Sequence, residues 1–413
     1  MIDLKFVREN PNFVQKMTKD KGFNVDINHV LEIDTKHREL SLSVQKLREE
    51  RNRASREQNI EEGKRIKSQL EKEDNALKAV EEELSEWLFK IPNLPKKDVK
   101  IGKNESGNEV MKKHMLPVSL SFIPKDHLEL GEALDIIDVK RAAKVSGTRF
   151  GYLKNEGALL EFALIQLAFE LLTKEGFVPI IPPVLINKEV MRRLGYMEHG
   201  ADEDVFSIPN DSKVLVGTAE HSIVSMHKDE LFAKKDLPKR YVGFSTAFRR
   251  EAGSYGKDTR GIFRVHQFDK VEMVSFVASE DDDKEHEYLL SLEEKLFQLL
   301  EIPYQVVKMC TGDLGFVQAR KYDIEVYIPS QKKYREVTSA STITDFQARR
   351  LNIKYMDSNE KKFAHILNGT AFAIGRTIIA ILENYQQEDG MVLIPKVLQK
   401  YMHNQEKIAP KKQ

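Results

Sequence analysis

FSTAFRREAGSYGKDTRGIFRVHQFDKVEM, residues 244–273, is the stretch around which the rest of the chain can be organised. Two alternating runs flank a centre rich in Gly, Ser, Lys, Asp and Arg. The flanks predict two strands, and Gly253, Ser254, Gly256 and Gly261 predict a long loop between them. Side chains two positions apart on a strand share a face, so Arg249 and Glu251 fall together on the first. Phe268, Lys270 and Glu272 fall together on the second, with Arg264 and His266 further along it. A guanidinium offers two parallel donors to a phosphate, a phenyl ring gives a base a stacking surface, and carboxylates hold an amine or a metal. Such a surface suits a nucleoside triphosphate beside an ammonium-bearing substrate. A solvated hairpin with salt-bridged strands would use the same residue types.

The chain has 413 residues, enough for two or three domains and a large core. Lys plus Arg and Asp plus Glu both number 65, so the net charge is zero and any nucleic-acid surface must be a local patch. The single cysteine, Cys310, excludes an intramolecular disulfide and a multi-cysteine zinc site. MIDLKFVREN at the start has no apolar signal region, and Asp3 and Glu9 argue against an organellar presequence. No apolar run approaches the length needed to span a bilayer, so a soluble cytoplasmic protein is expected.

The order F-R-x-E, basic loop, R-x-H-Q-F-x-x-x-E resembles motif 2 of class II aminoacyl-tRNA synthetases, and FRREAGSYGKDTRGIFRVHQFDKVEM resembles the seryl-tRNA synthetase version. Other segments extend the likeness. GFVPIIPPVLIN (176–187), after an amphipathic helix over 158–174, reads as an edge or interface strand because Pro cannot donate within a sheet. It resembles class II motif 1, which implies a homodimer. ILNGTAFAIGRTIIAIL (366–382) reads as a strand, a turn at Asn368-Gly369, and an apolar helix holding Arg376, and resembles motif 3. A buried Arg in such a helix needs an ion pair or a bound anion. YREVTSASTITDFQARR (334–350) alternates through Glu336, Thr338 and Ala340, and its DFQARR matches the family closely.

The resemblance implies an α+β fold, an antiparallel sheet flanked by helices, and an ATP-dependent ligase that loads L-serine onto tRNA(Ser), with tRNA(Sec) an open second substrate. It implies an ATP site at Arg249, Arg250, Glu251, Val265, Phe268, Glu336, Val337, Thr338, Ser339 and Arg376. Arg249, Glu336 and Arg376 would carry the chemistry, with Mg²⁺ on Glu336 and Ser339. Serine would sit among Thr218, Ala219, Glu220, Arg249, Glu272 and Thr370. Gly217 stands where the family usually has Pro, and His221-Ser222 where Val-Pro is common; residues 194–206 lack the glycine-rich pattern of the family. Asp313 and Asp323 read as structural, and Cys310 as a small apolar residue. The rivals are a ligase loading an amino acid on a non-tRNA acceptor, and a non-catalytic coiled-coil paralogue.

Ahead of these motifs, Leu4, Val7 and Phe13 predict a small helical start with Pro11 opening a helix. Ile33, His37, Leu40, Val44 and Leu47, then Ile66, Leu70, Glu73, Leu77, Val80 and Leu84, follow alternating steps of four and three on either side of a polar break at 55–63. This seam predicts an antiparallel coiled-coil hairpin with arms about 45 Å long. Arg48, Arg51, Arg53, Arg56, Lys64 and Arg65 mark its middle and tip. The resemblance makes these the tRNA contacts of an arm that crosses to the partner subunit's tRNA. The expected organisation is a tRNA-binding domain over 1–100, a linker over 101–118 and a catalytic domain over 119–413, with a helix at 128–137 and a loose tail from 400.

Overall fold

The computed structural model describes residues 1–117, 119–252, 258 and 260–410. Gly253, Ser254 and Gly256 of the expected loop, Val118 of the expected linker and residues 411–413 of the expected tail lie outside that set. The chain forms two compact units, Met1–Leu94 and Pro95–Gln413.

In the first unit, helices Ile27–Arg56 and Ile60–Lys90 run antiparallel. Asp26 caps the first through the amides of Asn28 and His29, and Asn59 caps the second through that of Glu62, so the chain reverses over residues 57–59. Val44, Leu47, Ile66 and Leu70 are buried in the seam with Ala54, which continues the heptad beyond the predicted stretch, and Leu77 packs against them. Pro11 opens the helix Pro11–Asp20 as expected. Phe13 does not face inward: it is exposed, edge-on to Phe6, and Val14 and Met17 fill the interior.

The second unit is built on an eight-stranded sheet. In spatial order its strands are Glu109–His114, Tyr304–Lys308, Arg320–Ile328, Lys333–Thr344, His365–Ala373, Gln267–Val277, Lys239–Phe248 and Val178–Ile180. Neighbours are antiparallel except the last pair, which is parallel. Helices Glu156–Lys174, Asp282–Leu299 and Ile374–Asn384 contribute to one apolar core with these strands. Val178–Ile180 lies at the sheet edge, as the prolines of 176–187 predict.

Four further expectations are corrected. Residues 109–114, within the expected linker, form the opposite edge strand, paired with Tyr304–Lys308. Their Lys-rich, alternating-poor sequence is what a solvent-facing edge tolerates. Asn368-Gly369 is no turn: His365–Ala373 is continuous, and the glycine is there because a Cβ would lie 2.9 Å from Glu293 Oε1. The helix expected over 128–137 stops at Ala133, and Ile137–Asp138 pairs with Tyr152–Leu153. The tail is docked through 410: Lys407–Ile408 pairs with Val392–Leu393, and Met402 and Ile408 are buried.

Candidate active site

The Lys239–Phe248 and Gln267–Val277 strands form the predicted hairpin in full register, from Lys239 opposite Phe276 to Phe248 opposite Gln267. The first strand ends one residue before Arg249, so Arg249 and Glu251 lie beyond it and do not alternate on its face. Glu251 has a φ of +53°, which turns the chain toward the loop. His266 and Arg264 likewise precede the second strand, and the Arg249 amide bonds the His266 carbonyl at 3.0 Å.

The hairpin, the Lys333–Thr344 strand and the start of helix Ile374–Asn384 enclose a cavity of about 490 Å³. A β-bulge shapes its wall. Opposite Arg320–Ile328, Ile324 pairs with Thr338 and Glu325 with Glu336, leaving Val337 as the extra residue. The bulge shifts the alternation by one. Glu336 and Ser339, three apart, therefore line the same cavity together with Val337 and Thr338, although Thr338 turns its hydroxyl down to Glu293 at 2.9 Å and Ala340 is buried. The strict alternation expected through Glu336, Thr338 and Ala340 is thus broken between the first two.

At one end of the cavity, the Arg249 guanidinium carbon is 5.3 Å from the Phe268 ring centroid and its nitrogens donate to the Gly217 carbonyl at 3.2 and 3.3 Å. Arg264 pairs with Glu251 at 2.8 Å. Arg376, in the first turn of its helix and only partly buried, is 3.2 Å from the Glu336 carboxylate and 5.0 Å from the Phe263 centroid. Desolvation opposes charge on Glu336, yet Arg376, Lys321 and Arg249 hold its carboxyl below the ordinary value. The site is therefore lined by cations already in loose pairs, which a polyphosphate can take over.

At the other end Thr218 caps helix Ala219–Ser225, and Glu220 is buried beneath it. Tyr196 and Gln347 both donate to Glu220 Oε1 at 3.1 Å. Burial and the neighbouring Glu272 charge raise the Glu220 pKa. His221 is buried against the Tyr196 ring with Nδ1 accepting from the Gly217 amide at 3.3 Å. Burial, then Arg249 and Lys270, push its pKa well down and keep it neutral. Gly217 and His221 thus form one unit: the imidazole supports the turn that a proline would otherwise stiffen. Glu272 is wholly buried, 2.6 Å from Lys270 Nζ, and accepts from Asn368 at 3.0 Å and Thr370 at 3.2 Å.

Of the residues singled out in the sequence, Arg249, Glu251, Val265, Phe268, Thr218, Glu220, Glu336, Val337, Thr338, Ser339, Thr370 and Arg376 line this one cavity. Three do not. Arg250 is exposed, with its amide on the Asp204 carbonyl; Ala219 is buried in its helix; Glu272 is wholly buried beside Lys270. Tyr196, Lys321 and Asn368 line the cavity without having been singled out. Only Lys321 carried a signal, a lysine inside an alternating apolar strand. Asp313 accepts from Asn108 at 2.7 Å, and Asp323 pairs with Lys321 at 3.1 Å. In the arm, Arg48 pairs with Asp74 at 2.9 Å and Arg65 with Glu62 at 2.6 Å, while Arg51, Arg53 and Arg56 are exposed.

Residues 205–385 match the tRNA synthetase class II core domain (G, H, P, S and T), which defines the class of this sheet and cavity. Residues 1–95 match the seryl-tRNA synthetase N-terminal domain. The chain is 43% identical to the serine–tRNA ligase of Dictyoglomus turgidum over the whole of both chains. Its structure resembles seryl-tRNA synthetase from Pyrococcus horikoshii complexed with ATP, with a TM-score of 0.94 and 39% identity over the full length of both. It also resembles the cytoplasmic serine–tRNA ligase of Naegleria fowleri in complex with AMP, with a TM-score of 0.91, 30% identity and coverage of 100% and 99%. The chain belongs to the seryl-tRNA synthetase family.

Proposed function

We propose that the chain activates L-serine with ATP and transfers the seryl group to the 3′ end of tRNA(Ser). The observation that carries this reading is the single cavity that unites Phe268, Arg249, Glu336 and Arg376 with Thr218, Glu220 and Thr370. A serine carboxylate oxygen attacks the α-phosphorus, that bond forms, and the bond to the bridging oxygen breaks to release pyrophosphate. The tRNA ribose hydroxyl then attacks the adenylate carbonyl, loses its proton to solvent, and AMP leaves. No covalent enzyme intermediate is required, so catalysis is positioning and charge stabilisation.

Phe268 would stack the adenine, Glu251 bond its amino group, Arg249 hold the α-phosphate and Arg376 the γ-phosphate. Glu272 would take the serine ammonium, with Thr218, Glu220 and Thr370 around the hydroxyl. A pocket that hydrogen-bonds the hydroxyl rejects alanine because its polar groups would be left unpaired. Glu336 and Ser339 present hard oxygens to one side of the cavity and Glu336 is held ionised, a donor set that suits Mg²⁺ shared with phosphates and water. Mg²⁺ held there would neutralise charge on the triphosphate.

The exposed arm arginines would contact the tRNA backbone. A homodimer is supported by the edge strand Val178–Ile180 and by the exposed side chains of Phe162, Val178 and Ile181 on neighbouring segments. No helix among the described residues is long and apolar enough to cross a membrane; the cytoplasm is the proposed site of action. The test is transfer of labelled serine to a tRNA(Ser) transcript, with tRNA(Sec) and an unrelated tRNA in parallel. Charging of tRNA(Ser) supports the reading, and charging of tRNA(Sec) decides its extent. Failure to charge tRNA(Ser) overturns it.

A further inference from the structure

Lys270 has no role in the reading above, yet it occupies its centre. Phe268, Lys270 and Glu272 follow one another on one face of the Gln267–Val277 strand, with about 7 Å between successive same-face positions. If Phe268 is the platform for the base and Glu272 the seat of the ammonium, the reacting carboxylate and α-phosphate lie over Lys270. The Lys270 side chain lines the cavity, whereas Glu272 is wholly buried behind it. Its ammonium, 2.6 Å from the Glu272 carboxylate, has the same chemistry as the group the amino acid must place there.

We infer that Lys270 is a further catalytic residue, resting on Glu272 in the empty site and displaced by the α-ammonium of the amino acid onto the reacting carboxylate and α-phosphate. This rests on the serine-activation reading. The exchange replaces one ammonium by another, so buried Glu272 is never left unpaired, a state that would be strongly unfavourable. The neighbouring carboxyls offer the displaced lysine no better place. Glu220 is already held by Tyr196 and Gln347, and Glu293 lies below the sheet with Thr338. Burial raises the pKa of both. His221, close enough for Lys270 to depress its pKa, is neutral and buried. Of the other carboxylates lining the cavity, Glu336 is paired with Arg376 and Glu251 with Arg264, so the unpaired negative charge within the site is that of the substrates, where a cation stabilises the five-coordinate phosphorus as its bond to pyrophosphate lengthens. No proton moves in this step. An acid lacking the α-ammonium leaves Lys270 on Glu272 and is poorly activated even when bound.

The test compares wild type with Lys270→Met and Lys270→Gln, the second able to donate to Glu272 if the first fails to fold. Adenylate formation is followed with serine and with 3-hydroxypropanoate, and ATP binding checks the fold. Both variants should lose about 10²-fold or more in the rate of adenylate formation with serine, with ATP affinity little changed. The rate advantage of serine over 3-hydroxypropanoate at saturation should shrink, because the delivered cation is gone. A loss under about threefold with serine, or an equal loss for both acids, overturns the inference. Wild-type inactivity with serine would instead overturn the underlying reading.

Discussion

Replacing Gly369 by Ala should destabilise the catalytic unit and weaken its hold on the amino acid. Gly369 lies in a central strand, opposite Ala340 on one side and Met273 on the other. An added Cβ would lie 2.9 Å from Glu293 Oε1, 3.1 Å from Met273 Cε and 3.6 Å from Leu289 Cβ. The methionine methyl can swing away. Glu293 cannot easily do so, because it is fully buried and its other oxygen holds Thr338. Overpacking of this kind costs about 1–3 kcal/mol. If the strand yields instead, the shift carries Asn368 and Thr370 away from Glu272, which they now reach at 3.0 and 3.2 Å. A loss of about 1 kcal/mol at that seat is about fivefold in serine KM. Chemical denaturation of the purified variant and serine-dependent ATP–pyrophosphate exchange measure the two effects. Gly63→Ala is the control: Gly63 sits inside helix Ile60–Lys90 with nothing within 4 Å of an added Cβ, so it should stabilise the arm by about 0.5–1 kcal/mol. Parent-like stability and KM in Gly369→Ala would refute the reasoning that the space left by this glycine keeps Asn368 and Thr370 on Glu272.

Other outcomes follow from the same geometry. Glu336→Gln should reduce exchange by about 10²-fold and raise the Mg²⁺ concentration needed for half-maximal rate, read from a magnesium titration. Phe268→Ala should raise the KM for ATP about tenfold or more through lost stacking worth about 1–3 kcal/mol, with serine KM little affected. Arg51, Arg53 and Arg56 changed together to Gln should leave exchange intact, weaken tRNA charging, and make its log–log salt dependence shallower by about 2–3. His286 is buried, with Nε2 donating to the Ala340 carbonyl at 3.0 Å and Nδ1 accepting from Arg320 at 3.1 Å, and burial pushes its pKa down to about 4. The unfolded chain therefore binds the extra proton first, and stability present above about pH 6.5 should be lost as pH falls toward 4, by about 3 kcal/mol. Denaturation across that range in wild type and His286→Gln, which lacks the titration, measures it.

The edge strand was legible because its prolines cannot donate within a sheet, and the hairpin and the coiled-coil arm because periodicity reports directly on which face is buried. Val44, Leu47, Ile66 and Leu70 fall in the arm seam for that reason. The bulge at Val337 was not legible: one extra residue leaves no mark in composition, yet it decides that Glu336 and Ser339 share a wall. Asn368-Gly369 carried a turn signature, but tertiary packing explains the glycine, since Glu293 from another helix fills the space of its Cβ. Residues 109–114 lacked an apolar pattern because an edge strand needs only backbone partners on one side. Tyr196 and Asn368 reach the cavity through contacts with Glu220 and Glu272 that are distant in sequence. Glu272 was found as a polar residue on the right face, but its burial under Lys270 is a property of rotamers and neighbours, not of spacing.

Amino-acid-dependent ATP–pyrophosphate exchange, run without tRNA across the twenty amino acids, tests the central claim most directly. Exchange with serine alone is the predicted result, and it would place specificity in the pocket around Thr218, Glu220 and Thr370. Exchange driven by another amino acid, or by none, would contradict it.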